Sequence, residues 1–290
     1  FIFIVIGSFV SLLVTIVYHL YNFKNLKKKY KIVMCGIAGM IGDYSSLDVK
    51  NLSNSMHHRG PDGISSYKEK NFCLIHSLLK IMDLSDNSAQ PMIDERNGNV
   101  IIFNGSIYNY KILKQKFFSG TKFKSNTDTE VILFMYEKFG LDLFKHIKGM
   151  FAFALYDKKS NKIILGRDRY GIKPLYYFSN EKSLIFASEI KILLTQKIIK
   201  DNIKIDINEI LKFIGHRIIS GFNKTLLKNI KVLEPSTYLI FNLSERGFKI
   251  FSYNSDELNL SMNQENNQEY FDQKLNEVIK LQTITEHKKI

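Results

Sequence analysis

The sequence predicts an α+β fold built of layers, and three observations carry that prediction. Short apolar runs of strand character follow Met34 in close succession. A meander of strands and tight turns occupies 150–187. The helical stretches flank these strands without the regular strand–helix–strand alternation of a doubly wound sheet.

The elements follow in order. Residues 35–42 are small and apolar and predict a buried strand. Residues 47–57 predict a helix, which Gly60-Pro61-Asp62-Gly63 breaks as a strong turn cluster. Residues 72–76 and 100–103 are strand-like, and Asn104-Gly105 is a turn dipeptide expected to close the second run. Helices are predicted over 108–118 and 129–139, with Thr127 and Asp128 as capping candidates for the second. Strands follow at 150–156 and 163–166, around a turn at 157–161. Residues 167–174 form a loop, and 175–178 with 184–187 form a further hairpin. Residues 188–194 and 207–216 predict helices, and 232–251 predicts two strands around a turn at 242–247. The polar, Asn-rich stretch 256–268 predicts a linker. A final amphipathic helix over 269–282 carries Phe271, Leu275, Val278 and Ile279 on its apolar face.

Composition narrows the class. A length of 290 residues suits one large domain or two smaller ones, and 45% hydrophobic residues suffice for a core. Two cysteines, Cys35 and Cys73, exclude a disulfide scaffold and point to a reducing compartment. No Cys/His cluster has zinc-ligand spacing. The net charge of +13 comes from lysines scattered among Asn and Ile and from a block at Lys24, Lys27, Lys28, Lys29 and Lys31. Basic residues interleaved with aromatics in a reading module are missing from the pattern, so nucleic acid is not an expected partner.

Residues 1–33 stand apart. The first eighteen hold no charge, and twenty residues at about 1.5 Å each span the roughly 30 Å core of a bilayer. The lysine block behind them would lie on the cytoplasmic side. This segment is either a membrane anchor with the rest of the chain in the cytoplasm, or upstream sequence ahead of a start at Met34. A cytoplasmic location follows in both cases. The expected organisation is 1–33, then a domain over 34–255, then a linker and helix over 256–290.

Cys35 is the residue with the most chemistry in it. Preceded by Met34 and followed by Gly36, Ile37, Ala38 and Gly39, it can become the first residue of a chain. Its α-amino group, titrating near about 7.7–8.0, would then serve as a base for a thiol that ordinarily titrates near about 8.5. Cys73 sits in an apolar run and is expected to be structural.

Five signatures occur in order: Met34-Cys35-Gly36-Ile37-Ala38-Gly39; His57-His58-Arg59-Gly60-Pro61-Asp62-Gly63; Asn104-Gly105-Ser106-Ile107-Tyr108-Asn109; Gly149-Met150-Phe151-Ala152-Phe153-Ala154-Leu155-Tyr156-Asp157; and Gly166-Arg167-Asp168-Arg169-Tyr170-Gly171-Ile172-Lys173-Pro174. From Met34 to its end the chain resembles the amino-terminal half of glutamine-hydrolysing asparagine synthetases. These are class II glutamine amidotransferases with an N-terminal-nucleophile fold. The resemblance implies a four-layer αββα sandwich. It also implies attack of the Cys35 sulfur on the side-chain amide of glutamine, with an oxyanion hole formed by the Asn104 amide and the Gly105 backbone N–H. Leu78, Leu79, Lys80, Ile81, Met82, Asn104, Gly105, Ser106 and Asp128 take the positions that line the glutamine site. Asp128 is matched to the group that meets the substrate's α-amino group; helix capping is its alternative. Arg59 and Asp62 are expected to be structural, and Arg167, Asp168 and Arg169 to pin a loop by ion pairing.

Two positions depart from the family pattern. Leu78 stands where the family carries an arginine that clamps the α-carboxylate, and Ser106 where it carries a glutamate. Each charge-assisted hydrogen bond is worth about 1.5–3 kcal/mol, so losing two would weaken glutamine binding roughly 10²- to 10⁴-fold. Lys80 is placed to replace part of the missing charge. The ATP-binding Ser-Gly-Gly-x-Asp-Ser loop of the family does not occur, so the resemblance implies no cofactor for this part, with ATP and Mg²⁺ serving a synthetase domain elsewhere. The leading expectation is the glutaminase portion of an asparagine synthetase, partnered by that domain, with homodimerisation left open. The alternatives are a catalytically silent binding module and an amidotransferase with another acceptor.

Overall fold

Strand β1 (Gly36–Gly42) sets the pattern of the molecule. Ile37 and Ile41 enter one hydrophobic layer while Ala38 and Met40 enter another, as alternate residues of a strand must. Burial on both faces is why such strands read as continuous apolar runs. The computed structural model describes residues 35–42, 48–78, 89–181, 183–217, 219, 221–253 and 268–282. The apolar segment 1–33, the greater part of the expected linker, and Leu79, Lys80, Ile81 and Met82 lie outside the described residues.

After β1 come α1 (Val49–Asn54), β2 (Gly63–Glu69), β3 (Phe72–Leu78), β4 (Met92–Ile93) and β5 (Val100–Ile107). Three helices follow, α2 (Tyr110–Phe117), α3 (Asp128–Phe139) and α4 (Leu143–His146), and then β6 (Gly149–Asp157) and β7 (Lys162–Arg167). The chain continues through β8 (Tyr176–Ser179), β9 (Ser183–Ala187), α5 (Ile190–Leu193), α6 (Lys197–Lys200) and α7 (Ile207–His216). It closes with β10 (Ile230–Val232), β11 (Thr237–Asn242), β12 (Gly247–Ser252) and α8 (Gln268–Gln282).

The strands form two antiparallel sheets, ordered β10-β8-β9-β1-β3-β2 and β12-β11-β7-β6-β5-β4. Between them lie Ile37, Ile41, Phe72 and Leu74 from one sheet, and Val100, Ile102, Ala152, Ala154 and Leu165 from the other. Helices α1, α5 and α6 cover the outer face of the first sheet through Leu52, Ile192, Leu193 and Ile199. Helices α2, α3 and α4 cover the second through Leu113, Val131, Met135 and Phe144. The result is the predicted α+β arrangement of helix, sheet, sheet and helix. Each fully buried Ile, Leu or Phe contributes about 1.5–3 kcal/mol.

Several expectations are corrected. Asn104-Gly105 does not turn: β5 runs through to Ile107, pairing Asn104 with Ala152 and Gly105 with Phe151. A Cβ on Gly105 would stand 2.2 Å from the Met150 carbonyl oxygen, so the glycine serves close strand approach. The edge strand β2, exposed and polar in Ser65, Ser66, Lys68 and Glu69, carries no apolar run to betray it. The segment 232–251 contributes two strands as expected, and β10 just before them joins the other sheet by pairing with β8.

Helix α7 is inverted. Ile207, Leu211 and Ile214, spaced as one stripe, are exposed, whereas Glu209 is buried and bonded to Lys212 and Lys224. Helix α8 likewise exposes Phe271, Leu275, Val278 and Ile279, the stripe expected from sequence. Among the described residues no helix is long and apolar enough to cross a membrane.

Candidate active site

Strand registers gather the site at one end of the sandwich. Gly36 pairs with Ser77, so Cys35 begins β1 beside the end of β3 at Leu78. β1 packs against β5 and β6 across the interior. Residues 35, 37 and 41 share a strand parity, as do 74, 76 and 78, and 100, 102, 104 and 106. Their apolar members Ile37, Ile41, Leu74, Val100 and Ile102 face the inter-sheet layer, so the same parity directs Cys35, His76, Leu78, Asn104 and Ser106 there. Cys35 and Leu78 are half-buried at the rim; Asn104 and His76 are buried.

Two buried side chains have unused hydrogen-bonding capacity. Asn104 is 1% exposed, and its Nδ2 has no partner among the described residues. A buried amide donor left unpaired costs on the order of 1–3 kcal/mol, which is the mark of a group awaiting an acceptor. Neither ring nitrogen of His76 has a hydrogen-bond partner among the described residues. Burial pulls its pKa down to about 4 against the opposing backbone of Phe103, so the ring is neutral at physiological pH.

The backbone of the cysteine is held from outside the sheet. Arg59 is buried and donates from Nε (3.2 Å) and Nη2 (2.8 Å) to the Cys35 carbonyl oxygen. Gly36 allows this, because a Cβ there would lie 3.1 Å from Arg59 Cβ. The guanidinium's remaining arm, Nη1, donates to Glu189 Oε1 at 3.0 Å. Arg59 is therefore more than the turn residue its motif suggests. Asp62 does keep a structural part, its backbone N–H reaching the Leu78 carbonyl at 3.2 Å.

The loop after β7 closes the same end. Asp168 is fully buried and accepts from the N–H groups of Phe151, Tyr170, Ile172 and Lys173. Arg167 donates to the carbonyls of Gly171, Lys173 and Leu233. The loop is thus pinned by side-chain bonds to backbone, not by the expected ion pairing, because both charges are spent on orphan peptide groups. It presents buried Lys173, whose pKa is lowered by burial and by Arg59 and supported by Cys35 and Asp168. Cys73 lies in the layer under α1, its thiol pushed up to about 11 chiefly by burial, as suits an inert structural cysteine.

Asp128 does not cap α3. Thr127 holds the cap position, and Asp128 opens the first turn with Oδ2 accepting from the Ile107 N–H at 2.7 Å, one residue beyond Ser106. Burial raises its pKa to about 6, opposed by the N–H groups of Ile107, Asp128 and Thr129 and by Lys114. Because the folded value stands above the ordinary 3.8, the carboxyl's contribution to stability is full below about 3.8 and lost as pH rises through about 6. Asp128→Asn is expected to gain on the order of 1–3 kcal/mol over the parent at pH 8 and little at pH 4. Thermal melts at the two values check this; equal differences at both would contradict it.

A model of the glutamine amidotransferase domain matches residues 34–253. The chain belongs to the glutamine amidotransferase family. The amidotransferase is 39% identical over 243 residues to a protein named as a glutamine-hydrolyzing asparagine synthetase in Methanocaldococcus jannaschii, covering 76% of this chain and 46% of that one. It is 35% identical over 231 residues to asparagine synthetase 2 of Bacillus subtilis, covering 76% of this chain and 30% of the relative. The chain therefore spans about half of the first relative's length and under a third of the second's. Among solved structures, a glutamine phosphoribosylpyrophosphate amidotransferase from B. subtilis superposes with a TM-score of 0.55 at 17% identity, over 77% of this chain and 50% of that one. At that identity the likeness speaks for the fold. Among the described residues no group of His, Cys, Asp and Glu side chains gathers as metal ligands.

Proposed function

We propose that this amidotransferase hydrolyses glutamine to glutamate and ammonia, with Cys35 as nucleophile once it is the first residue of the chain. The Cys35 sulfur attacks the side-chain carbonyl carbon while the α-amino group takes the thiol proton. Collapse of the tetrahedral intermediate expels ammonia, which receives that proton and leaves a thioester. Water then hydrolyses the thioester to glutamate. The observation that carries this reading is the buried Asn104 amide, on the inward parity shared with Cys35, whose Nδ2 has no partner among the described residues. We assign this donor to the oxyanion, with Gly105 N–H as its companion. Asp128 is assigned to the substrate's α-amino group, whose positive charge would stabilise the carboxylate that burial disfavours.

Leu78 offers no donor to an α-carboxylate and Ser106 only a neutral one, so glutamine is expected to bind weakly in this site. Ammonia would pass to a synthetase part of the kind implied by the longer relatives, where ATP and Mg²⁺ would activate aspartate. The exposed apolar stripes of α7 and α8 support a further packed partner. The test is to determine the first residue of the isolated protein and assay glutamate release from glutamine. Release by a chain starting at Cys35, with KM well above the ordinary millimolar range, supports the reading. No release at saturating glutamine from such a chain would favour a silent module.

A further inference from the structure

We propose that Glu189 is a positioning residue for Cys35, acting through Arg59. The proposal rests on Cys35 being the nucleophile and adds the device that aims it.

The Glu189 carboxylate follows β9 directly, where Ser188 already clamps β1. Ser188 Oγ accepts from the Ile37 N–H at 3.0 Å, and the Ser188 N–H donates to the Ile37 carbonyl at 2.9 Å. One residue further on, Glu189 accepts from Arg59 Nη1 at 3.0 Å and Lys191 Nζ at 2.9 Å, and His58 Nε2 lies 3.0 Å from its carboxylate. These donors hold its pKa down to about 2 despite partial burial. The other ring nitrogen of His58 faces the Ser55 carbonyl at 3.0 Å, so the imidazole is fixed at both ends.

The geometry divides the guanidinium's labour. Nε and Nη2 grip the Cys35 carbonyl, and Nη1 is tied to Glu189. A terminal nucleophile must keep both its sulfur and its amine unencumbered, so its carbonyl is the backbone group by which it can be held. A bidentate grip fixes the Cα–C direction and, with it, the arcs open to sulfur and amine. Without the Glu189 anchor the guanidinium is free to swing toward the developing thiolate, loosening the carbonyl and quenching the nucleophile by ion pairing. Lys173, the other buried cation near Cys35, is bound to Asp168 through its backbone N–H, whereas it is the Arg59 side chain that grips the Cys35 carbonyl.

The test uses Glu189→Gln and Glu189→Asp in the protein whose first residue is Cys35, with the same protein carrying Glu189 as the parent. Alkylation of Cys35 by iodoacetamide is followed by peptide mass from pH 5 to 9, alongside kcat and KM for glutamine. Buried Cys73 provides an unreactive internal reference. Glu189→Gln leaves the guanidinium uncompensated, which favours thiolate, so the alkylation midpoint is expected to fall by about half a unit. Turnover is expected to drop roughly tenfold in kcat with KM unchanged, since Glu189 is not assigned to the substrate. Glu189→Asp should restore most of both. An unmoved midpoint with unchanged kcat overturns the proposal. Equal losses in both variants, accompanied by a lowered Tm, also overturn it and assign Glu189 to folding alone. If even the parent releases no glutamate, the glutaminase reading fails while the alkylation midpoint still decides the role of Glu189.

Discussion

Cys35→Ala is expected to reduce glutamate release to the uncatalysed background, a loss of about 10⁴-fold or more in kcat. Alanine keeps the α-amino group, the Arg59 grip on the carbonyl and the start of β1, because each of these is a backbone matter. It removes only the sulfur, and with it the covalent route. Folding should be nearly untouched, since the residue is half-buried at the rim. Parallel measurements of glutamate release and Tm check the claim. Residual turnover within tenfold of the parent would assign the chemistry to another group, and a collapse of Tm would mean that the sulfur is structural.

Asn104→Ala should separate catalysis from stability in the opposite sense. Removing one oxyanion donor costs about 10²–10³ in kcat, and KM should change little because the interaction strengthens as charge develops. Stability should hold or rise. The substitution removes a buried donor, Nδ2, that has no partner among the described residues, worth about 1–3 kcal/mol, and the small void left behind offsets part of that gain. The ladder is unaffected, since Asn104 pairs with Ala152 through the main chain. Denaturant midpoints and steady-state kinetics on the same preparation decide the matter. An unchanged kcat would place the oxyanion elsewhere.

Much of this molecule was legible because its central strands are buried on both faces. β1, β3, β5 and β6 announce themselves as apolar runs, and their order with the helices indicated the layers. What escaped was set by distant partners. β2 is an exposed edge whose polar residues resemble a loop, and β10 is three residues long and exists because β8 is there to pair with it. Asn104-Gly105 has the local chemistry of a turn, yet strand pairing with β6 overrides it. At the candidate site, motif order singled out Cys35, Asn104 and Asp128. The grip of Arg59 was not, because its two partners lie 24 and 130 positions away along the chain, and no local spacing encodes them. That Asn104 Nδ2 finds no partner among the described residues was equally invisible, being a property of its distant surroundings.

The tethers that hold the start of β1 have one further consequence. They include Arg59 on the Cys35 carbonyl, Ser188 on Ile37, and the strand ladder from Gly36 onward. Each of these tethers lies beyond the cysteine's nitrogen along the chain, so cutting the bond before Cys35 would leave all of them in place.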